Sequence, residues 1–330
     1  LEVLFSLRKG KKASKLLNVF KPLPQILENI TVKDKNSINK TRCKKAIKEA
    51  NFSVVLDAVN SSGGIFVPAL LEALGIEKIN KINCEPTGHF AHNPEPLPEN
   101  LKDLSKKIKE INYEIGITVD PDVDRLAFVC EDGTMFGEEY TLVAVADYIL
   151  SNQKGNTVSN LSSTRALQDI THKYNMSYFA SAVGEVNVVE KMKENNAIIG
   201  GEGNGGVILP ELHYGRDALV AIALFLTQLA ESKMSVKKLR DTFPKYFMSK
   251  NKIQLTDHVD IDKIFSVLIN EYNKERINII DGLKIDFDNG WIHLRKSNTE
   301  PIIRIYTESS SQKKADNLAK EIIDKINTLI

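Results

Sequence analysis

The chain is 330 residues long, 42% hydrophobic and 26% charged, with 44 basic against 43 acidic side chains and a net charge of +1. That length exceeds one hydrophobic core, so two or three domains are expected, and the near-zero charge offers no bulk attraction to nucleic acid or anionic lipid. Cys43, Cys84 and Cys130 are odd in number and widely spaced; they form neither a zinc pattern nor a disulfide framework, which fits a reducing cytoplasm.

Leu1-Glu-Val-Leu-Phe5 reads as the front half of an engineered protease site, a cleavage scar. Residues 6–45 are basic and poorly patterned, a linker or a remnant of another domain. From about Ala46 the pattern sharpens. Ser53–Asp57 predicts a buried strand, Pro68–Leu74 a helix ended by Gly75, and Glu77–Cys84 the next strand. Leu101–Glu110 predicts a lysine-rich helix, and Ile115–Val119 a strand that runs into Asp120. Alternation of this kind marks a parallel α/β unit, whose ligands sit at the carboxyl ends of its strands.

Asp120-Pro-Asp-Val-Asp-Arg125 stands at such an end. Asp120, Asp122 and Asp124 alternate in a tight loop, so their oxygens can converge on one hard cation such as Mg2+. Without a cation, carboxylates this close repel each other. An acidic surface turn explains any single aspartate, but not three alternating ones between apolar runs. An EF-hand matches the ligand spacing through Glu131, yet its sixth position needs Gly and holds Arg125. The following Leu126–Cys130 reads as a buried strand rather than a ligand loop. The stretch is therefore a candidate phosphoryl-transfer centre.

A second unit begins near Glu139. Its predicted elements are the helix Tyr140–Leu150, the strand Thr157–Leu161, the helix Arg165–Tyr174, the strand Ser177–Val183, the helix Val186–Glu194, the strand Ala197–Gly200 and a long helix Arg216–Glu231. The most apolar part of that last helix, 217–230, is too short to span a bilayer. Gly201, Gly203 and Gly206 spell a dinucleotide fingerprint by letter, but Val207-Ile-Leu-Pro210 follows as a strand end, where the fingerprint must open a helix. The glycines instead predict a loop whose backbone comes close to a small ligand, with Glu202 and Asn204 offering an acceptor and an amide to sugar hydroxyls. A plain glycine turn is the alternative.

The third unit begins near Asn251. A strand, the helix Ile261–Asn273, a hairpin turning at Asp288-Asn-Gly290, a strand to Thr307 and a helix from Gln312 make an α+β tail. Arg295-Lys-Ser-Asn-Thr-Glu-Pro301, with Arg304 beyond, reads as a dianion nest in which Arg295, Ser297, Asn298 and Thr299 hold a phosphate. Taken alone it is equally a solvated loop between two strands.

These three motifs, in this order, resemble the α-D-phosphohexomutase superfamily over about Phe52 to Leu329. Val183-Gly184-Glu185 and Arg216-Asp217 also look like family positions, and the sugar loop is most similar to the phosphoglucosamine mutase and phosphomannomutase branch. The resemblance implies a cytoplasmic monomer or homodimer that acts on a hexose or hexosamine phosphate with Mg2+, without nucleic acid or membrane partners. It also implies transfer of a phosphoryl group between the 1 and 6 positions through a phosphoserine. It further implies the metal ligands Asp120, Asp122 and Asp124, with Arg125 as an added electrostatic stabiliser. Glu202 and Asn204 would hold the sugar, and Arg295, Ser297, Asn298, Thr299 and Arg304 its far phosphate.

The expected fold is two related three-layer α/β domains, 46–138 for the metal and 139–249 for the sugar, followed by a smaller α+β domain, 250–330, for the phosphate. Residues 1–45 are expected to be scar, linker or a remnant of the serine-bearing first domain. No phosphoserine loop is visible. Ala91-His-Asn-Pro94 has Ala where the hydroxyl must stand, and His89 and His92 read as turn or packing residues. The chain as given is therefore expected to be inactive without that serine. Some family members carry a histidine at the end of the sugar loop; Gly206 stands there, which leaves the general acid and base unassigned. A catalytically dead sugar-phosphate binder and an unrelated metal module are the readings from other classes.

Overall fold

The computed structural model describes residues 40–255, 260–297 and 300–329. A first helix, α1 (Lys40–Ala50), precedes the expected start of the patterned chain and seats Ile47, which is fully buried. Strands β1 (Ser53–Asp57), β2 (Lys78–Ile82), β3 (Ile115–Val119) and β4 (Leu126–Cys130) form a sheet in the order β2-β1-β3-β4. β1 runs parallel to β2 and β3, whereas β4 is antiparallel to β3. Every residue of β1, β3 and β4 is buried, as expected of strands covered on both faces.

Helix α2 starts at Gly63 and runs to Leu74, so Pro68 lies inside it rather than at its head. The glycine pair explains the earlier start. A Cβ on Gly64 would lie 2.2 Å from the Cys84 carbonyl oxygen, so the first turn packs directly on the chain leaving β2. Gly75 ends the helix at φ 91°, as its position in the sequence predicts. Helix α3 (Lys102–Ile111) covers the sheet through Leu104 and Ile108.

The second sheet repeats the plan. After α4 (Glu138–Asn152), strands β5 (Asn156–Asn160), β6 (Tyr178–Ser181), β7 (Ala197–Glu202) and β8 (Gly206–Ile208) take the order β6-β5-β7-β8. The first two pairings are again parallel and the last antiparallel. Helices α5 (Ala166–Lys173) and α6 (Glu185–Glu194) fill the crossovers, and α7 (Ala218–Ser232) follows β8. The sequence pattern does not reveal the short α8 (Val236–Asp241), which Ser235 caps by accepting from the Lys238 N–H at 3.3 Å. Phe128 of β4 stacks on Phe225 of α7 at 3.8 Å, with Phe136 edge-on to both. One aromatic core thus ties the two α/β lobes together.

The tail is an antiparallel sheet of β9 (Phe247–Gln254), β10 (Arg276–Asn278), β11 (Leu283–Phe287), β12 (Gly290–Lys296) and β13 (Ile302–Ser309), in the order β10-β11-β12-β13-β9. Strand alternation sorts its side chains. Leu283, Ile285, Ile292, Leu294, Ile303 and Ile305 form one core with α9 (Ile261–Glu271) and α10 (Gln312–Leu329). Lys284, Asp286, Trp291, His293, Arg295 and Glu308 alternate with them along the strands, and this second set meets the chain leaving β5.

Candidate active site

The hairpin joining β3 to β4 carries Asp120–Arg125, and the hairpin joining β7 to β8 carries the glycine loop. These are equivalent places in the two sheets, each following the third strand. They also touch. The Leu126 N–H donates to the Gly205 carbonyl at 3.1 Å, and Arg125 bridges Gly206. Gly205 has φ 93°, and a Cβ there would lie 2.3 Å from the Leu126 carbonyl oxygen. Only glycine lets the two loops close on each other at that point.

Asp120 is fully buried and organises its own loop. One carboxylate oxygen accepts from the Asp124 and Arg125 N–H groups at 3.1 and 3.0 Å, and the other accepts from Arg125 Nε at 2.6 Å. The second oxygen keeps a lone pair. Val123 turns the loop at φ 62°, and the Ser62 hydroxyl donates to the Pro121 carbonyl at 2.7 Å. Asp122 is exposed and Asp124 half-buried, and one oxygen from each of the three aspartates lies within 4.8 Å of the others. Burial, then the neighbouring Asp120, pushes the Asp124 carboxyl up to about 6. Its Oδ1 is buried with no hydrogen-bond partner. A buried acceptor left open among three carboxylates fits a hard divalent cation. Arg125 stays beside the cluster, its Nε 3.7 Å from Asp124 Oδ1.

Glu202 ends β7, largely buried. Its Oε1 accepts from Asn160 Nδ2 at 2.7 Å and the Gly184 N–H at 3.1 Å, and its Oε2 from Arg216 Nη1 at 2.8 Å. Oε2 retains a lone pair for a further donor. Asn204 uses Oδ1 to accept from the Gly206 N–H at 3.1 Å. This bond braces the loop and turns the amide's NH2 to other partners. Below the loop lies Glu139, whose carboxyl burial pushes up to about 7; it accepts from the Thr164 N–H at 3.0 Å and faces Lys250 at 3.2 Å.

In the tail, Arg295 and Arg304 face each other across β12 and β13. Like charges directly opposite on neighbouring strands repel. Their carboxylate contacts are long, 4.0 Å from Arg295 to Asp281 and 3.5 Å from Arg304 to Glu300, and Arg304 Nε is buried with no hydrogen-bond partner. An anion between them relieves that repulsion. Ser297 is buried beside them, its hydroxyl accepting from the Glu300 N–H at 3.3 Å. Asn298 and Thr299 lie outside the described residues.

The tail reaches the glycine loop through contacts that no motif announces. Asp281 accepts from the Val183 N–H at 2.8 Å, and the next N–H, that of Gly184, bonds Glu202. Arg165 donates to the Phe287, Asp288 and Gly290 carbonyls at 2.9, 3.0 and 2.8 Å and pairs with Asp286 at 3.3 Å. The motifs single out neither residue; the period-two alternation of β11 is a signal that could find Asp286, whereas the sequence around Arg165 carries none. Away from this site, His92 bonds the buried Asp57 at 3.1 Å and the Asn93 carbonyl at 2.8 Å, a turn brace.

His293 Nε2 lies 2.7 Å from the Asp281 carbonyl, so it carries the proton, and Nδ1 accepts from the Ser162 hydroxyl at 2.9 Å. Burial pushes this imidazole down to about 4; nearby Lys284 and Arg295 act in the same direction, and Asp281 opposes them. Its pKa in the fold is below its unfolded value, so its stabilisation is complete above about pH 6.5 and is lost as pH falls toward 4. The ring is expected to make the fold about 2 kcal/mol less stable at pH 5 than at pH 8. Glu139 slopes the opposite way, so the check is a difference: urea midpoints at both pH values for the parent and for His293→Asn, which should lack this part of the acid loss.

Family models bear on the whole of this arrangement. Those described as phosphoglucomutase/phosphomannomutase alpha/beta/alpha domain II, alpha/beta/alpha domain III and C-terminal domain match residues 34–133, 137–246 and 249–325. Among curated relatives, a phosphoglucomutase/phosphomannomutase of Thermococcus kodakarensis is 38% identical over 277 residues, 82% of this chain and 60% of that protein. A phosphoglucosamine/phosphogalactosamine mutase of Sulfurisphaera tokodaii is 33% identical over 282 residues, 84% of this chain and 62% of that protein. A crystal structure of a phosphoglucomutase/phosphomannomutase family protein from Burkholderia thailandensis superposes with a TM-score of 0.74 at 25% identity, covering 88% of this chain and 64% of that one. The chain thus spans about three fifths of the length of the relatives it matches. No helix among the described residues is long and apolar enough to cross a membrane.

Proposed function

Because the chain belongs to the phosphoglucomutase/phosphomannomutase family, we propose that it is the metal-, sugar- and phosphate-binding part of a phosphohexomutase that moves a phosphoryl group between the 1 and 6 positions of a hexose phosphate. One observation supports this reading: the aspartate hairpin and the glycine hairpin are bonded edge to edge, as a cation loop and a sugar loop serving one substrate would have to be. The parts are assigned as 46–138 for the metal, 139–249 for the sugar and 250–330 for the distal phosphate. The nucleophilic phosphoserine is assigned to a segment outside this chain.

Asp120, Asp122 and Asp124 would hold Mg2+, which offsets charge on the transferring phosphoryl group when bound. Arg125, fixed by Asp120, presents its remaining N–H groups to the same phosphoryl oxygens. Glu202 Oε2 and the Asn204 amide take sugar hydroxyls. Arg295, Arg304, Ser297, Asn298 and Thr299 grip the phosphate that does not react. That grip accepts a phosphate from either end of the sugar, so a bisphosphorylated intermediate can turn round. Glucosamine phosphate is the preferred substrate, on the likeness to the Sulfurisphaera enzyme. The name of the Thermococcus relative keeps glucose and mannose phosphates as the second reading. A cytoplasmic setting and a small-molecule partner belong to the same proposal.

The test is calorimetric titration of glucosamine 1-phosphate into the chain with Mg2+ or EDTA, followed by assay of the chain joined to its upstream sequence. Metal-dependent binding without turnover by the chain, and turnover by the longer protein, support the proposal. Turnover by neither protein, with binding kept, makes the protein a sugar-phosphate binder.

A further inference from the structure

Arg216 stands between the candidate cation site and the candidate sugar site, bonded to a carboxylate of each. Its Nη2 bonds Asp124 Oδ2, across 92 residues of chain. Nη1 bonds Glu202 Oε2 at 2.8 Å, Nε lies 3.5 Å from Glu185 Oε2, and the Arg216 N–H donates to Glu185 Oε1 at 3.0 Å. One planar guanidinium thus spans carboxylates from both hairpins, with only 18% of its side chain exposed. A lysine ammonium, a point charge on a flexible stem, cannot hold both carboxylates in fixed directions at once.

A glycine makes room for it. A Cβ on Gly206 would lie 2.3 Å from Arg216 Cδ. Gly206 belongs to β8, and its φ is not in the left-handed region, so its backbone does not itself demand glycine. The missing side chain is explained by the arginine stem that crosses it. The chain on either side is anchored as well: the Asp217 N–H donates to the Val207 carbonyl at 2.9 Å and the Ala218 N–H to the Val123 carbonyl at 3.1 Å, inside the aspartate loop.

We propose that Arg216, in the space left by Gly206, is a positioning residue that fixes the Asp124 carboxylate for the cation and couples its direction to that of Glu202. The geometry states how. Arg216 takes Asp124 Oδ2, which leaves Oδ1, the buried oxygen without a partner, for the cation. The same guanidinium holds Glu202 Oε2, so a shift of the sugar-loop carboxylate is felt at the cation ligand. The inference rests on the proposed metal site.

The probe is Mn2+ titrated into the chain, with free ion counted by electron paramagnetic resonance. Partners that orient a metal ligand typically change metal affinity by about 10- to 100-fold. Arg216→Lys keeps the charge and loses the bridge, so it should bind Mn2+ at least about tenfold more weakly. Arg216→Met should do the same. Gly206→Ala should weaken Mn2+ in the parent by displacing the arginine stem, yet add nothing in an Arg216→Ala background, which lacks the Cγ and Cδ atoms the methyl would meet. Parent-like affinity in Arg216→Lys, or a full additional loss from Gly206→Ala on top of Arg216→Ala, overturns the inference. Tighter binding in Arg216→Met with parent-like binding in Arg216→Lys overturns it too, because only charge then matters. Asp122→Asn separates the two levels. If it leaves Mn2+ affinity unchanged, the metal site itself is wrong and this inference falls with it; if it weakens binding while Arg216→Lys does not, only the positioning role fails.

Discussion

Asp120→Asn is expected to weaken Mn2+ binding by at least about 100-fold, beyond what outer partners of a metal ligand cost, and to destabilise the fold by about 3 kcal/mol. Both effects come from one side chain with two tasks. The amide oxygen can still accept from the Asp124 and Arg125 N–H groups. The amide nitrogen, however, would face Arg125 Nε, donor against donor, where the carboxylate now accepts at 2.6 Å. Asp120 is fully buried and Arg125 a quarter exposed, so the arginine loses its closest counter-charge in a partly dry place. Glu95, 3.8 Å away, recovers part of the loss, which puts the cost at the low end of that for a broken buried pair. Urea midpoints and the Mn2+ titration check the two effects separately. Lost stability with unchanged Mn2+ affinity would make Asp120 a loop brace only. Asp122, exposed and without a bracing role among the contacts described, should show the reverse when changed to Asn.

Arg165→Ala should loosen the tail from the rest of the molecule. The guanidinium satisfies three carbonyls of the β11–β12 turn and one carboxylate, with 11% of its side chain exposed. Removing it leaves those acceptors to water. The expected cost is about 3 kcal/mol, less than the sum of the separate bonds because water reaches the outer carbonyl at Asp288. The Arg165 N–H still donates to Glu308 at 3.0 Å, so the junction is weakened rather than abolished. Amide hydrogen exchange should show faster exchange through residues 283–296 with the two α/β lobes unchanged. Uniform loss of protection over all three sheets would show instead that the tail unfolds only with the whole. Under the proposed function, the same variant binds glucosamine 1-phosphate less tightly, because the arginine pair of β12 and β13 then has no fixed position against the sugar loop.

Much of this molecule could be read before folding. Five-residue apolar runs such as Ser53–Asp57 and Leu126–Cys130 are buried strands, and Asp288-Asn-Gly290 makes its hairpin, because these outcomes depend on side-chain alternation and turn chemistry over a few residues. The start of α2 was less legible, since Pro68 suggested a helix head while the real cause, Gly64 against the Cys84 backbone, lies twenty residues further along the chain. Helix α8 was missed because six residues give too little periodicity to see.

The sequence by itself determined that three carboxylates share a loop after a buried strand, that a glycine run follows the third strand of the next unit, and that the tail turns a hairpin at Asp288-Asn-Gly290. Spacing of two, and the demand for a tight turn, settle such matters locally. Only the tertiary structure decided that the two hairpins lie edge to edge, that Arg216 reaches across 92 residues to Asp124, and that the Arg295 strand meets the chain leaving β5. Those pairings arise when separate sheets bury their faces against one another, and no short window of sequence contains both partners.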